Sequence, residues 1–232
     1  GHTRLAIIDL SDAARQPMVR DGLTITFNGE IYNYREVRDE LQRLGHTFTT
    51  QSDTEVLLVG WRAWGTELLP RLIGMFAFAL WDSRAGELVL VRDRFGKKPL
   101  LFTHANGRIS FASDLVALQD IDGQQRQIDP LALRLLFALR YIPDPLTIAS
   151  GIEKLPAGHL ARFSANGIAI HRWSDLASAR PPRYRSEADA IKDLRSRFDA
   201  AVAARTVADV PIGAFLSGGI DSAVSCILAA QA

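Results

Sequence analysis

Met75-Phe76-Ala77-Phe78-Ala79-Leu80 constrains the fold more than any other segment: every position is apolar, so a strand made from it must be covered on both faces. A short turn, Ser83-Arg84-Ala85-Gly86, leads from it into a second apolar run, Leu88 to Val91. So short a link joins antiparallel strands only, since parallel neighbours need a crossover of about a dozen residues or more. The same signature recurs along the chain. Leu23 to Phe27 ends at Asn28-Gly29, Leu100 to Thr103 faces Ile109 to Ala112 across Asn106-Gly107, and Leu160 to Phe163 faces Ile168 to Arg172 across Asn166-Gly167. Two amphipathic helices interrupt these strands. One runs from about Tyr34 to Leu44, with Val37, Leu41 and Leu44 on one face and Gly45 as its stop; the other opens at Ser52-Asp53-Thr54-Glu55 and ends before Gly65. Ser52 and Glu55 read as a capping box. The predicted first domain, residues 1–173, is therefore α+β: layered antiparallel sheets with outer helices.

Composition shifts at residues 174–186, where Pro181-Pro182 and Arg180, Arg183 and Arg185 carry no periodicity and predict a linker. Beyond it Ser186 with Asp189 opens a helix whose apolar face is Ile191, Leu194, Phe198 and Val202. A strand, Ile212 to Leu216, a glycine turn and a helix from about Asp221 follow. This order predicts the opening of a parallel α/β domain over residues 187–232. The chain begins at Gly1 without a methionine and stops inside the last helix, so it reads as part of a longer protein.

Several function classes drop out. The longest apolar stretch, Ile73 to Trp81, is broken by Gly74 and is shorter than the roughly 18 residues a membrane span requires. A formal charge of +1 argues against a nucleic-acid binder held by phosphate contacts. The basic cluster Arg92, Arg94, Lys97 and Lys98 reads as a solvated or interdomain loop. Cys226 is the single cysteine, which excludes an internal disulfide and makes a cytoplasmic location the expectation; no histidine shows metal-ligand spacing, and no metal site is predicted.

Two segments carry chemistry. In Leu216-Ser217-Gly218-Gly219-Ile220-Asp221-Ser222 an apolar strand runs into two glycines and then into a helix N-terminus, so backbone N–H groups and the helix dipole converge as a phosphate requires. No lysine lies in the turn, so it is not a Walker A loop. The alternative is a glycine bend with no ligand. In Asn28-Gly29, a side-chain amide and the next backbone N–H at a strand end are two donors suited to an oxyanion. The alternative is a plain Asn-Gly turn.

The ordered motifs resemble one family. His2-Thr3-Arg4-Leu5-Ala6-Ile7-Ile8-Asp9, Gln16-Pro17-Met18, Phe27-Asn28-Gly29-Glu30-Ile31-Tyr32-Asn33, Ser52-Asp53-Thr54-Glu55, Gly74 to Ala79, Arg92 to Leu100 and Leu155-Pro156-Ala157-Gly158-His159 resemble the class II glutamine amidotransferase domain of glutamine-hydrolysing asparagine synthetases. The Ser217 to Ser222 loop resembles the S-G-G-x-D-S loop of the ATP pyrophosphatases joined to it.

The resemblance implies an N-terminal-nucleophile-hydrolase-like αββα first domain. It implies that Arg4 pairs with the α-carboxylate of glutamine, that the segment Leu5, Ala6, Ile7 and Ile8 lies along it as a strand, that Asn28 and Gly29 form the oxyanion hole, that Glu30 lines the pocket and that Asp53 holds the α-ammonium. It places ATP and its pyrophosphate at Leu216, Ser217, Gly218, Gly219, Asp221 and Ser222, with Mg²⁺. The family's nucleophile is an N-terminal cysteine that would precede Gly1 by some tens of residues, so the chain alone is expected to be inactive. The expected substrates are glutamine, aspartate and ATP, with no nucleic-acid or membrane partner and a homodimer as the assembly. Another carboxylate acceptor, in a peptide, a polysaccharide precursor or a β-lactam-forming substrate, stays open.

Overall fold

The computed structural model describes residues 2–3, 7–105, 107–123, 126–178 and 180–231. Its strands are β1 (Met18–Arg20), β2 (Leu23–Ile31), β3 (Gly74–Asp82), β4 (Glu87–Arg92), β5 (Leu101–Ala105), β6 (Arg108–Ala112), β7 (Glu153–Lys154), β8 (His159–Ser164) and β9 (Gly167–Arg172). Its α-helices are α1 (Tyr34–Arg43), α2 (Asp53–Trp64), α3 (Leu115–Asp122), α4 (Pro130–Leu139), α5 (Glu187–Ala203) and α6 (Ile220–Ala229).

Alternation along β3 builds the layers. Phe76, Phe78 and Leu80 point into a core shared with Val37 and Leu41 of α1 and Val56 to Val59 of α2. Ala77 and Ala79 point the other way, against Leu100, Phe102 and Leu155. Small methyl groups on that face let a second sheet approach. The larger sheet has six strands in the order β1-β2-β3-β4-β8-β9, and the smaller has three in the order β6-β5-β7; every pairing in both is antiparallel. Leu118 of α3 packs with Leu101, Ala149 and Ile152 on the outer face of the smaller sheet, which completes the helix, sheet, sheet, helix order.

The structure departs from the sequence expectations at several places. β2 does not end at Asn28-Gly29: it pairs Asn28 with Ala77, Gly29 with Phe76 and Glu30 with Met75, because an open partner strand overrides the local turn preference. Ser52 Oγ accepts the Thr54 N–H at 3.1 Å as a cap, but Glu55 does not complete a capping box. Its carboxylate instead accepts the N–H groups of Thr49 and Thr50 and pairs with Arg20. The loop after β4 is not solvated throughout, since Arg92 and Asp93 are buried; Arg92 binds Asp144 and the carbonyls of Gly96, Lys98 and Leu155.

Two helices were not expected. Asp114 caps α3 by accepting from Val116 and Ala117, and Asp129 caps α4 by accepting from Leu131 and Ala132, with Pro130 opening the helix. Both carry legible start signals, masked by short apolar runs with weak periodicity. In the last part of the chain α5 and α6 form as expected, but Ile212 to Leu216 is not a strand, and Phe215 is fully exposed. A parallel strand requires a neighbour to bond with, and among the described residues none is offered there. Residues 180–186 hold no helix or strand.

Candidate functional site

The edge of β2 that faces away from β3 generates the site. Along a strand, alternate N–H groups point to the same edge. The Phe27 N–H donates to Gln16 Oε1 at 2.6 Å, and the Ile31 N–H donates to Asp53 Oδ2 at 3.1 Å. Phe76, opposite Gly29, directs both of its backbone groups to Asp93: its N–H donates to Oδ2 at 3.1 Å and its carbonyl accepts the Asp93 N–H at 2.8 Å. Gly29 and Phe76 are thus a pair without mutual hydrogen bonds, and the Gly29 N–H points outward between Gln16 and Asp53. No other residue fits at Gly29. Its φ is +147°, and a Cβ there would lie 2.1 Å from the Met75 carbonyl oxygen and 2.7 Å from the Phe76 Cα.

A cavity of about 370 Å³ opens over this edge, lined by Ile7, Ile8, Asn28, Gly29, Glu30 and Asp53 together with Gln16, Thr54, Lys98 and Ser113. The structure therefore brings together six of the residues expected to bind glutamine. Arg4, Leu5 and Ala6 lie outside the described residues, and Ile7 to Leu10 take no regular secondary structure rather than the expected strand.

The electrostatics follow from burial. Asp53 sits at the first position of α2, where the helix dipole favours a negative charge, and it is 4% exposed. Glu30 is 6% exposed, and its Oε1 is buried with no hydrogen-bond partner. Burial first, and the neighbouring Asp53 second, push the Glu30 carboxyl up to about 7, against the pull of Lys98 and Arg205. A buried acceptor without a donor beside a second carboxylate suits an incoming cation. Beside it, the Asn28 amide and the Gly29 N–H are two hydrogen-bond donors at the cavity.

Sequence reasoning missed three supports of this site. Gln16 anchors the edge of β2 and accompanies the Gln16-Pro17-Met18 motif. Asp93 gathers the N–H groups of Phe76, Phe95, Lys97 and Lys98, and so shapes the loop that brings Lys98 to the cavity. Ser113 follows β6 at the cavity's far side and carries no signal of its own.

The second cluster lies apart, outside this cavity. Gly219 is the N-cap of α6 and Gly218 has φ +85° with open space where a Cβ would go. Ser217 Oγ lies 3.0 Å from Ser222 Oγ, which donates to the Gly219 carbonyl at 2.9 Å. The loop, Leu216 and Asp221 are exposed, so the first-turn N–H groups face solvent. Among the described residues no three metal-ligating side chains cluster, and no helix is long and apolar enough to cross a membrane.

Two antiparallel sheets between helix layers, with a donor-lined cavity at a strand edge, form the αββα fold class of the N-terminal-nucleophile hydrolases. A glutamine phosphoribosylpyrophosphate amidotransferase from Bacillus subtilis shares the fold, with a TM-score of 0.51 at 18% identity over 93% of this chain and 47% of that one. Residues 1–174 match the family described as glutamine amidotransferase domain, and residues 193–232 match asparagine synthase. The chain belongs to the glutamine amidotransferase family. It is 41% identical to a protein of Mycobacterium tuberculosis named putative asparagine synthetase (glutamine-hydrolyzing), over 99% of this chain and 37% of that one. It is 37% identical to asparagine synthetase (glutamine-hydrolyzing) 3 of Bacillus subtilis, over 99% of this chain and 38% of that one. A protein of Gibberella zeae named amidase chry2 is 32% identical over 96% of this chain and 33% of that one. The chain thus spans well under half the length of these relatives.

Proposed function

We propose that the whole protein couples glutamine hydrolysis to ATP-dependent amidation of aspartate, giving asparagine, glutamate, AMP and pyrophosphate. The observation that carries this reading is the Gly29 N–H and Asn28 amide lining one cavity with Glu30 and Asp53. In this reading Arg4 and Asp53 bind the two charged ends of glutamine, and Glu30 supplies its spare acceptor to the α-ammonium. Ile7 and Ile8 exclude water from one side. A cysteine thiol contributed from outside these residues attacks the γ-carboxamide, with its own α-amine as base. The carbonyl oxygen gains negative charge as the tetrahedral intermediate forms, and the two donors on β2 stabilise it. Ammonia leaves, and water then releases glutamate from the thioester.

The second half follows from the glycine loop. First-turn N–H groups of α6 with Ser217, Gly218, Gly219 and Ser222 fit a pyrophosphate, and Leu216 would lie near the adenine. In this reading Asp221 would hold Mg²⁺, which needs few protein ligands when phosphates supply the rest and would neutralise phosphate charge. Aspartate attacks the α-phosphorus of ATP and displaces pyrophosphate, and ammonia then displaces AMP from β-aspartyl-AMP. The division into residues 1–173, a linker at 174–186 and residues 187–232 belongs to the same reading, as do a cytoplasmic location and a homodimer.

A second acceptor stays in view because the Gibberella zeae relative is named an amidase. A product assay on the full-length protein with ATP, Mg²⁺, aspartate and glutamine separates the readings. Asparagine and pyrophosphate in equal amounts are expected. Glutamate without asparagine would move the acceptor to another carboxylate, and no glutamate at all would overturn the amidotransferase half.

A further inference from the structure

The segment between α5 and the glycine loop grips the glutamine cavity. Asp209 makes two hydrogen bonds to one stretch of backbone: its N–H donates to the Ile7 carbonyl at 2.9 Å, and its Oδ2 accepts the Asp9 N–H at 2.8 Å. These bonds bracket Ile8, which is 3% exposed and lines the cavity with Ile7. Asp9 continues the chain of contacts. It holds φ +53°, and its Oδ2 accepts the Gln51 N–H at 2.8 Å, two residues before Asp53. One carboxylate in a sequence-distant segment thereby fixes a cavity wall that in turn touches the start of α2.

The same segment also contacts the residue that follows β2. The Arg205 guanidinium lies over the Tyr32 ring, 5.0 Å from its centroid, and Tyr32 is two residues beyond Glu30. Val207 packs against the main core between these two contacts. Ile7 to Leu10 have no strand or helix ladder to hold them, so side-chain and loop contacts of this kind must define their shape.

From this arrangement the geometry points to Asp209 as a positioning residue for glutamine binding: its carboxylate clasps the Ile7–Asp9 wall from the segment that leads into the glycine loop. The inference rests on the proposed glutaminase reading of the cavity. Asp209 touches no substrate in this account; it acts by holding the wall that does. Loss of the acceptor removes one partner of the Asp9 N–H and loosens Ile7 and Ile8, which weakens glutamine binding and leaves the attack geometry at Asn28 and Gly29 unchanged.

The test uses the full-length protein and two variants. Asp209→Ala removes the acceptor; Asp209→Asn keeps a carbonyl oxygen that can accept the same bond. Asp209→Ala is expected to raise the glutamine KM about tenfold, the loss of roughly one hydrogen bond, with kcat and ammonia-driven synthesis within about twofold of the parent. Asp209→Asn should restore the KM to within about threefold. Hydrogen exchange provides a readout independent of turnover: the Asp9 amide should lose protection in Asp209→Ala and keep it in Asp209→Asn. An unchanged KM in Asp209→Ala, equal loss of glutamine- and ammonia-driven synthesis, or an Asn variant as impaired as the Ala variant would each overturn the role. If the parent protein neither binds nor hydrolyses glutamine, the glutaminase reading itself fails, and this inference fails with it.

Discussion

Asp53 Oδ2 accepts the Ile31 N–H at 3.1 Å, which fastens the first turn of α2 to the edge of β2 two residues from Gly29. The carboxylate thereby serves two ends. It satisfies a strand-edge donor, and it lines the cavity that the proposed reading assigns to glutamine.

Gly29 is where this arrangement tolerates least change. Gly29→Ala places a methyl carbon 2.1 Å from the Met75 carbonyl oxygen, a clash with backbone that no rotamer change relieves. The strands must part, at a cost of about 3 kcal/mol. Thermal unfolding should show a lowered Tm, with glutamine hydrolysis lost even below it; a native Tm would contradict the packing described.

Glu30 sets a pH dependence whose sign can be worked out. Its carboxyl is raised to about 7 from an ordinary 4.5, so the folded chain binds a proton that the unfolded chain releases, and its contribution to stability falls as pH rises through that window. The ammonium of glutamine favours the ionised form, so binding expels the proton and the glutamine KM should fall as pH rises toward and past about 7. Glu30→Gln should raise the KM and flatten its pH profile. A variant that keeps the parent's slope would assign the titration to another group.

Glu55 works with the opposite sign. Burial would push its carboxyl up, but the N–H and hydroxyl groups of Thr49 and Thr50 outweigh that and hold it below its ordinary value. Its stabilisation is complete above the unfolded carboxyl range and is lost as pH falls through the depressed folded value. Glu55→Gln should cost about 1–3 kcal/mol at neutral pH. Denaturant midpoints across the acid range should then slope less steeply than the parent's.

Asp93 holds the loop that carries Lys98. Its two oxygens accept from Phe76, Phe95, Lys97 and Lys98, more donors than one amide oxygen can serve. Asp93→Asn should lose about 2 kcal/mol and raise the glutamine KM. Urea unfolding together with KM measurements checks both parts, and a change in neither would remove Asp93 from the site's support.

The sheet layers were legible because each strand carries its own signal. Met75 to Leu80 is apolar on both faces, and the Ser83 to Gly86 and Asn166-Gly167 turns set the antiparallel connections. The strand ending foreseen at Asn28 failed for a tertiary reason: β3 offers a partner through Gly74, which no local preference at Asn-Gly can report. Ile212 to Leu216 failed for the converse reason, an apolar run with no neighbouring strand to pair with. Asn28, Gly29, Glu30 and Asp53, singled out by their motifs, do line one cavity. The grip of Asp209 on Ile7 and Asp9 was not legible, because the contact joins positions about two hundred residues apart and neither end has a periodicity or spacing that marks it.

The most direct test compares glutamine-driven with ammonia-driven synthesis in the full-length protein and its Asn28→Ala variant. Asn28 stands beside the outward N–H of Gly29 in the cavity. Removing one oxyanion donor should slow the glutamine-driven rate by about 10²- to 10³-fold and leave the ammonia-driven rate within about twofold. Equal loss of both rates, or no loss of either, would contradict the assignment of this cavity to glutamine hydrolysis.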